Sequence, residues 1–96
     1  MAELTEPPAS LRLDKWLWFA RLVKTRAIAQ DLAQSGHVRL NGQRVTSAAR
    51  LVRIGDILTI ALPSQTRVLK ICAVAERRGP AVEGAALYED IDFRNN

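Results

Sequence analysis

The residues of this sequence that could do chemistry are mostly cationic. Between residues 11 and 53 there are nine basic residues and two acids, whereas the whole 96-residue chain has 14 basic and 10 acidic residues. The nine are Arg12, Lys15, Arg21, Lys24, Arg26, Arg39, Arg44, Arg50 and Arg53. Lysine and arginine at this local density are typical of proteins that bind a polyanion through its phosphates.

Residues for catalysis or metal binding are scarce. Cys72 is the only cysteine and His37 the only histidine, so neither an internal disulfide nor the usual structural zinc set can form. No Ser-His-Asp set, paired carboxylates or phosphate-binding glycine loop is recognisable. The sequence therefore predicts a non-enzymatic protein with no cofactor and no metal. No apolar run approaches the roughly 20 residues of a membrane span, and one thiol favours a cytoplasmic location.

The elements that must position the cations begin with a helix predicted from about residue 11. Apolar residues at positions 13, 16, 17, 20 and 23 form one face at a 3.6-residue period. The opposite, polar arc carries Asp14, Lys15, Trp18 and Arg21. Trp18 has two interpretations: an exposed platform on which an unpaired base stacks, or a ring packed beneath the C-terminal tail.

Thr25 is predicted to cap a second helix over residues 26–35, because its hydroxyl can accept a hydrogen bond from the first turn. The apolar residues 28, 29, 32 and 33 would be buried, and Gly36 would end the helix. The link between the two helices would be only two or three residues. Lys24 and Arg26 flank the N-terminus, where the helix dipole favours an anion, so we expect a phosphate contact there.

Asn41-Gly42 between alternating residues predicts a β-hairpin with a two-residue turn. In that register Arg39 and Arg44 are directly opposed, which costs about 0.2–1 kcal/mol. A polyanion lying over the hairpin would offset this repulsion. The alternative is that the two side chains splay apart in water. His37 precedes the hairpin and is a better candidate for a phosphate or backbone contact than for a metal ligand.

The remaining pattern completes an α+β fold in which two N-terminal helices pack on a small twisted sheet of three to five strands. Strands are expected at residues 57–62 and 67–75, with Cys72 as a core residue, and one helical turn near residues 85–88. We predict a disordered leader at residues 1–10, a binding domain at residues 11–80 and an acidic, partly disordered tail at residues 81–96.

The motifs, taken together and in order, resemble the S-four RNA-binding domain family over about residues 11–60. The matching stretches are Arg12-Leu13-Asp14-Lys15-Trp16-Leu17, Arg21, Lys24-Thr25-Arg26, Gly36-His37-Val38, Asn41-Gly42 and Gly55-Asp56. The resemblance implies the fold known as the alpha-L motif and RNA contacts from the helix pair and the hairpin. The positions onto which those contacts carry over are Arg12, Lys15, Arg21, Lys24, Thr25, Arg26, His37, Arg39 and Asn41. Trp18 and Arg44 join this set on the grounds given above.

Residues 14–18, 76–79 and 86–89 are similar to a ribosome-associated branch of that family. This similarity implies a protein that binds ribosomal RNA of the large subunit and takes part in ribosome rescue or recycling under stress. We expect the chain to be a monomer. Two other functions stay open. One is a helix-turn-helix protein that binds DNA, for which the second helix offers few base-reading side chains. The other is an accessory RNA-binding subunit acting in trans with an RNA-modifying enzyme.

Overall fold

A computed structural model describes residues 9–91, which form two antiparallel sheets and three short helices. The elements are, in chain order, β1 (Ser10–Arg12), α1 (Leu13–Phe19), α2 (Arg26–Gln34), β2 (Val38–Leu40), β3 (Gln43–Val45), β4 (Leu51–Arg53), β5 (Ile57–Ala61), β6 (Thr66–Ile71), α3 (Ala81–Ala85) and β7 (Tyr88–Asp90). β1 pairs with β4 in a two-stranded sheet, and the five-stranded sheet has the order β3-β2-β5-β6-β7. The predicted α+β class, with two helices ahead of the main sheet, is confirmed.

The core is formed by one face of α1 and the inner face of the five-stranded sheet. Leu13, Trp16 and Leu17 are fully buried together with Leu58 and Leu69 of the sheet. The Trp16 indole nitrogen donates a hydrogen bond to the Ala73 carbonyl at 3.0 Å, which satisfies its polar atom inside the core. The apolar period of the first helix therefore predicted correctly that residues 13, 16, 17 and 20 are buried, whereas Val23 is only partly buried.

The hairpin has the predicted register. Val38 pairs with Val45, and Arg39 pairs with Arg44. Asn41 and Gly42 have φ values of 52° and 86°, as a turn with two left-handed residues requires. Alternation along β2 then buries the valine and leaves both arginines on the exposed outer face of the sheet.

The first helix is shorter than predicted at both ends. It begins at Leu13 because the preceding residues pair with β4, and the Leu13 amide donates to the Arg50 carbonyl at 2.8 Å. It ends at Phe19 in a Schellman motif: the Leu22 amide donates to the Leu17 carbonyl at 3.1 Å, and Arg21 takes the left-handed position with φ 63°. The link to α2 is therefore six residues long (20–25) rather than two or three.

The second helix has nearly the predicted bounds but a different buried face. Ala29 and Ala33 are fully buried, whereas Ile28, which was expected in the core, is 46% exposed. The two alanines allow α2 to lie close to α1, and Ile28 is rotated about 100° from that line of contact. The Thr25 cap is confirmed, since its hydroxyl accepts from the Ile28 amide at 3.1 Å. Gly36, with φ 87°, follows the helix as predicted.

The C-terminal part differs most from the prediction. β6 ends at Ile71 rather than near residue 75, because the next two amides, of Cys72 and Ala73, donate to the Leu87 carbonyl. Cys72 is exposed, so its placement in the core was wrong. The helix is Ala81–Ala85 rather than one turn at residues 85–88, and Tyr88–Asp90 is an edge strand of the main sheet.

The predicted division into leader, domain and tail can be compared with the structure at two points. Ser10, placed in the leader, pairs with Arg53, and β7, placed in the tail, pairs with β6. The predictions for residues 1–8 and 92–96 lie outside the described residues.

Candidate nucleic-acid interface

Two arginines converge on a buried carboxylate between the starts of the two N-terminal helices. Arg12 makes a bidentate contact with Asp14, at 3.0 Å from Nε to Oδ1 and 3.1 Å from Nη2 to Oδ2. Arg26 Nη2 lies 3.5 Å from Oδ2, and Gln30 Nε2 donates to the same oxygen at 3.4 Å. We refer to these four residues as the Asp14 cluster.

Asp14 is ionised and fully buried, contrary to its predicted place on the polar arc of the first helix. Burial acts to raise the pKa of its carboxyl group. Hydrogen bonds from Arg12, from Gln30 and from the Lys15 amide (2.8 Å) outweigh burial and hold the pKa below its ordinary value. The helical period did not predict this arrangement, because the carboxylate is covered by a strand and a second helix that the period does not describe.

The second cationic feature is the pair formed by Arg39 and Arg44, which we call the hairpin arginine pair. The two residues are direct cross-strand partners, but their side chains diverge. Arg39 Nη1 lies 3.4 Å from the Gly42 carbonyl, whereas the Arg44 guanidinium packs against Gly36, where an added Cβ would lie 2.5 Å from Nη2. The splayed alternative therefore describes the two side chains. Gly36 is needed for its backbone conformation, because its φ of 87° lies in the left-handed region.

The Asp14 cluster and the Arg44 guanidinium lie at opposite ends of one helix. Arg26 is the first residue of α2, and Gly36, which Arg44 contacts, follows its end by two residues. The nine residues of α2 span about 13 Å along the helix axis. The helix therefore separates Arg26 from Gly36 and the Arg44 guanidinium by about its own length.

The first sheet brings a further cation to the Asp14 cluster. In the β1–β4 register Ser10 pairs with Arg53 and Arg12 pairs with Leu51, so all four side chains share one face. Arg53 is thus a diagonal neighbour of Arg12, at the roughly 7–8 Å typical of such pairs. Sequence reasoning left Arg53 out, because two strands of three residues carry too short an alternation to be recognised.

Of the remaining predicted contacts, Lys24 and His37 are exposed and Lys15 is half-buried. Lys24 lies in the link before α2, and His37 begins the approach to β2, where its carbonyl accepts from the Ala61 amide at 2.8 Å. The Thr25 hydroxyl is committed to capping α2.

Asn41 has a structural task that its predicted RNA contact did not include. Its Oδ1 accepts from the Ile57 amide at 2.9 Å, and its Nδ2 donates to Asp56 Oδ1 at 3.1 Å. Asp56 Oδ2 in turn accepts from the Arg53 amide at 2.8 Å. These bonds join the hairpin turn to the turn around Gly55. They explain why both motifs occur together in this sequence.

Trp18 and Arg21 are both engaged by the segment after β6. The Arg78 guanidinium carbon lies 5.1 Å from the centroid of the half-buried Trp18 ring, and Arg78 Nε donates to the Trp18 carbonyl at 3.2 Å. Arg21 donates through Nε and Nη2 to the Gly79 carbonyl at 3.2 and 2.8 Å. Trp18 is therefore packed rather than fully exposed, but against Arg78 and not against the predicted tail. Trp18 and Arg21 together attach residues 78–79 to the end of α1.

No group of three His, Cys, Asp or Glu residues within residues 9–91 could hold a metal ion. Over the same residues, no helix has the length and apolar character to cross a membrane.

Comparison with known proteins identifies the relatives of the chain. Residues 11–58 match the S4 domain family. Heat shock protein 15 of Escherichia coli is 41% identical over 85 residues, covering 88% of this chain, and the small ribosomal subunit protein uS4 of Beijerinckia indica is 34% identical over 83 residues, covering 84% of this chain. The chain spans 63% of the length of the first relative and 38% of the second.

A solved structure shares the fold. The structure of Vibrio cholerae heat shock protein 15, described as trimeric, is 35% identical and superposes with a TM-score of 0.78, covering 85% of this chain and 82% of that one. The predicted fold is thereby confirmed, and so, by the relationship to heat shock protein 15, is the prediction that the chain is not an enzyme. The chain therefore belongs to the S4 domain family and is related to heat shock protein 15.

Proposed function

We propose that the chain binds structured ribosomal RNA of the large subunit through the surface that joins the Asp14 cluster, Arg53 and the hairpin arginine pair. The observation that carries the proposal is the arrangement of two arginines around the fully buried Asp14 at one end of α2, with Arg44 packed against Gly36 at the other end. A folded RNA presents phosphates at many positions, so a surface with separated cationic groups recognises its shape rather than its sequence.

Charge supports RNA over a protein partner. The excess of nine basic residues over two acids in residues 11–53 lies in the segment that forms both helices, the hairpin and β4. If about five phosphates are neutralised, the logarithm of the affinity falls with the logarithm of the salt concentration at a slope of about −3 to −5. A surface that binds only protein partners shows no such salt-dependent affinity for RNA.

We further propose that the chain acts in the cytoplasm in the rescue or recycling of large ribosomal subunits, in a role like that of heat shock protein 15. It rests on the relationship to that protein together with the cationic surface. A monomer stays our prediction for the oligomeric state. Sedimentation velocity of the purified chain distinguishes it from a trimer like that of the Vibrio cholerae relative.

The test is sedimentation of a bacterial lysate containing the tagged chain through sucrose at low and at high salt. We expect the chain in the large-subunit fraction at about 50 mM salt and at the top of the gradient at about 500 mM, because phosphate contacts are screened. Recovery with an RNA-modifying enzyme and without ribosomal particles would replace this proposal with the accessory-subunit function.

DNA binding is tested by competition. The exposed residues of α2 are Ala27, Ile28, Asp31 and Gln34, which is a poor set for reading base edges in a major groove. At equal salt, folded large-subunit RNA should therefore displace the chain from duplex DNA. The reverse order of affinity would favour the helix-turn-helix function.

A further inference from the structure

We propose that Asp14 is a positioning residue that holds the guanidinium groups of Arg12 and Arg26 as a preformed site for an RNA backbone phosphate. The inference rests on the proposed function. It gives a role in RNA binding to an acidic residue, although the surface that contacts the RNA is cationic. Asp14 itself does not touch RNA, since no part of it is exposed.

The burial of Asp14 is difficult to explain by stability alone. Removing a carboxylate from water is unfavourable, and an ion pair that compensates for this is seldom more stable than apolar packing of the same volume. Here the carboxylate accepts from Arg12, Gln30 and the Lys15 amide, and Arg26 adds a longer ion pair. What these contacts provide is a fixed position for two long cationic side chains.

The same contacts leave the arginines available to a ligand. Arg12 uses Nε and Nη2 for Asp14, and a guanidinium has five N–H donors. The Arg12 and Arg26 side chains are 41% and 37% exposed. A phosphate can therefore bind their outer edges while the inner edges stay on the carboxylate. Since these side chains are ordered before RNA arrives, less conformational entropy is lost on binding.

The direction in which Asp14→Asn changes RNA affinity distinguishes positioning of the arginines from simple electrostatic attraction of the RNA. If only charge matters, Asp14 weakens RNA binding, and Asp14→Asn should tighten it because the net charge rises by one. In our proposal Asp14→Asn weakens binding, because the amide of the asparagine places a donor against the donors of Arg12. The guanidinium groups then lose their fixed position, although the surface has become more positive.

The first experiment measures the affinity of Asp14→Asn and Asp31→Asn for a folded transcript of bacterial large-subunit ribosomal RNA, over a range of salt. Asp31 is an exposed acid of α2, so it is the matched control for charge. We expect Asp14→Asn to bind about five- to twenty-fold more weakly than wild type, and Asp31→Asn to bind equally or slightly more tightly. If both variants bind more tightly, positioning by Asp14 is excluded.

The second experiment does not depend on the folding of the Asp14 variant. Lysine keeps the charge of arginine but cannot make a bidentate contact with a carboxylate. Arg12→Lys should therefore weaken RNA binding about five-fold or more, whereas Arg39→Lys, at a position with no carboxylate partner among residues 9–91, should change it less than about two-fold. Equal losses at the two positions would overturn the proposal.

RNA binding by the wild-type protein distinguishes a failure of the proposed function from a failure of the inference about Asp14. If this protein shows no salt-dependent binding to the transcript, the proposed function is wrong and the inference falls with it. If it binds with the expected salt slope but the paired variants do not differ, only the positioning role of Asp14 is wrong. Thermal unfolding of each variant confirms that the affinities compare folded proteins.

Discussion

The Asp14 cluster and the hairpin arginine pair place the same kind of side chain on the surface by different physical means. In the cluster, a buried carboxylate gathers two arginines that come from separate elements. In the hairpin, backbone register alone sets two arginines opposite each other, and their side chains turn towards Gly42 and Gly36. The ion pairs of the cluster therefore stabilise the folded state, whereas repulsion between the two hairpin arginines destabilises it slightly. Substitutions in the two regions should differ in what they do to stability.

The largest combined effect is expected for Arg12→Gln. It removes the bidentate partner of a buried carboxylate, which costs about 3–5 kcal/mol where both partners are buried. Because Arg12 is partly exposed and Arg26 and Gln30 remain, we expect a loss of about 2 kcal/mol in the free energy of unfolding. RNA affinity should fall about ten-fold or more. Urea unfolding and RNA titration measure the two effects, and a change in affinity alone would contradict the stabilising role of the ion pairs.

Arg39→Glu should separate affinity from stability. The glutamate would face Arg44 across the hairpin, so like-charge repulsion becomes attraction and stability should be unchanged or higher by up to about 1 kcal/mol. RNA affinity should fall about ten-fold, and the salt slope should become shallower by about 1 to 2. Lys70→Glu is the control, because Lys70 lies on the same sheet, two strands away from Arg39, beside Glu89. A parallel loss of stability and affinity in Arg39→Glu would show that the hairpin register or its role is wrong.

Asn41→Ala should have the reverse effect within the same hairpin. It removes two side-chain hydrogen bonds and places alanine at a position with φ 52°, which together cost about 2 kcal/mol. RNA affinity of the folded variant should stay within about two-fold of wild type. A large loss of affinity in a variant of normal stability would instead support the direct RNA contact that the family resemblance implies.

The smallest expected difference between the two regions is in the pH dependence of stability. The folded-state pKa of Asp14 is held below its ordinary value of 3.8. Its contribution to stability is therefore complete above that pH and is lost as the pH falls through the lowered folded-state pKa. Unfolding at pH 7 and near pH 3 should show a smaller pH dependence for Asp14→Asn than for wild type. Arg39→Gln should keep the dependence of wild type, since arginine does not titrate in this range.

Local signals in the sequence predicted the hairpin and the second helix well. Asn41-Gly42 fixed the register, Thr25 marked the start of α2, and Gly36 marked its end, because each depends on the conformation of only a few neighbouring residues. The first helix shows the limit of such signals. It ends at Phe19, two residues before Arg21, whose backbone is left-handed and whose side chain donates to the Gly79 carbonyl. Nothing in the local sequence distinguishes this arginine from one that continues a helix.

The parts of the candidate site that the sequence did not reveal depend on contacts over long distances in the chain. The burial of Asp14 requires α1, α2 and the loop before β4 together, and the place of Arg53 beside Arg12 requires two strands 40 residues apart. Helical periodicity assigns Asp14 to the solvent, because it describes one helix and not what covers it. Charge density indicated the cationic segment, but the structure was needed to show that Arg12 and Arg26 lie together and that Asp14 holds them.

The central claim, that the Asp14 cluster and the hairpin arginine pair form one RNA-binding surface, is tested most directly by NMR titration of the wild-type chain with the large-subunit RNA transcript. We expect the backbone amide and arginine Nε signals of Arg12, Arg26, Arg39 and Arg44 to shift together, to saturate at the same RNA concentration and to return to their free positions at high salt. Shifts confined to one of the two regions, or saturation at different RNA concentrations, would contradict a single surface.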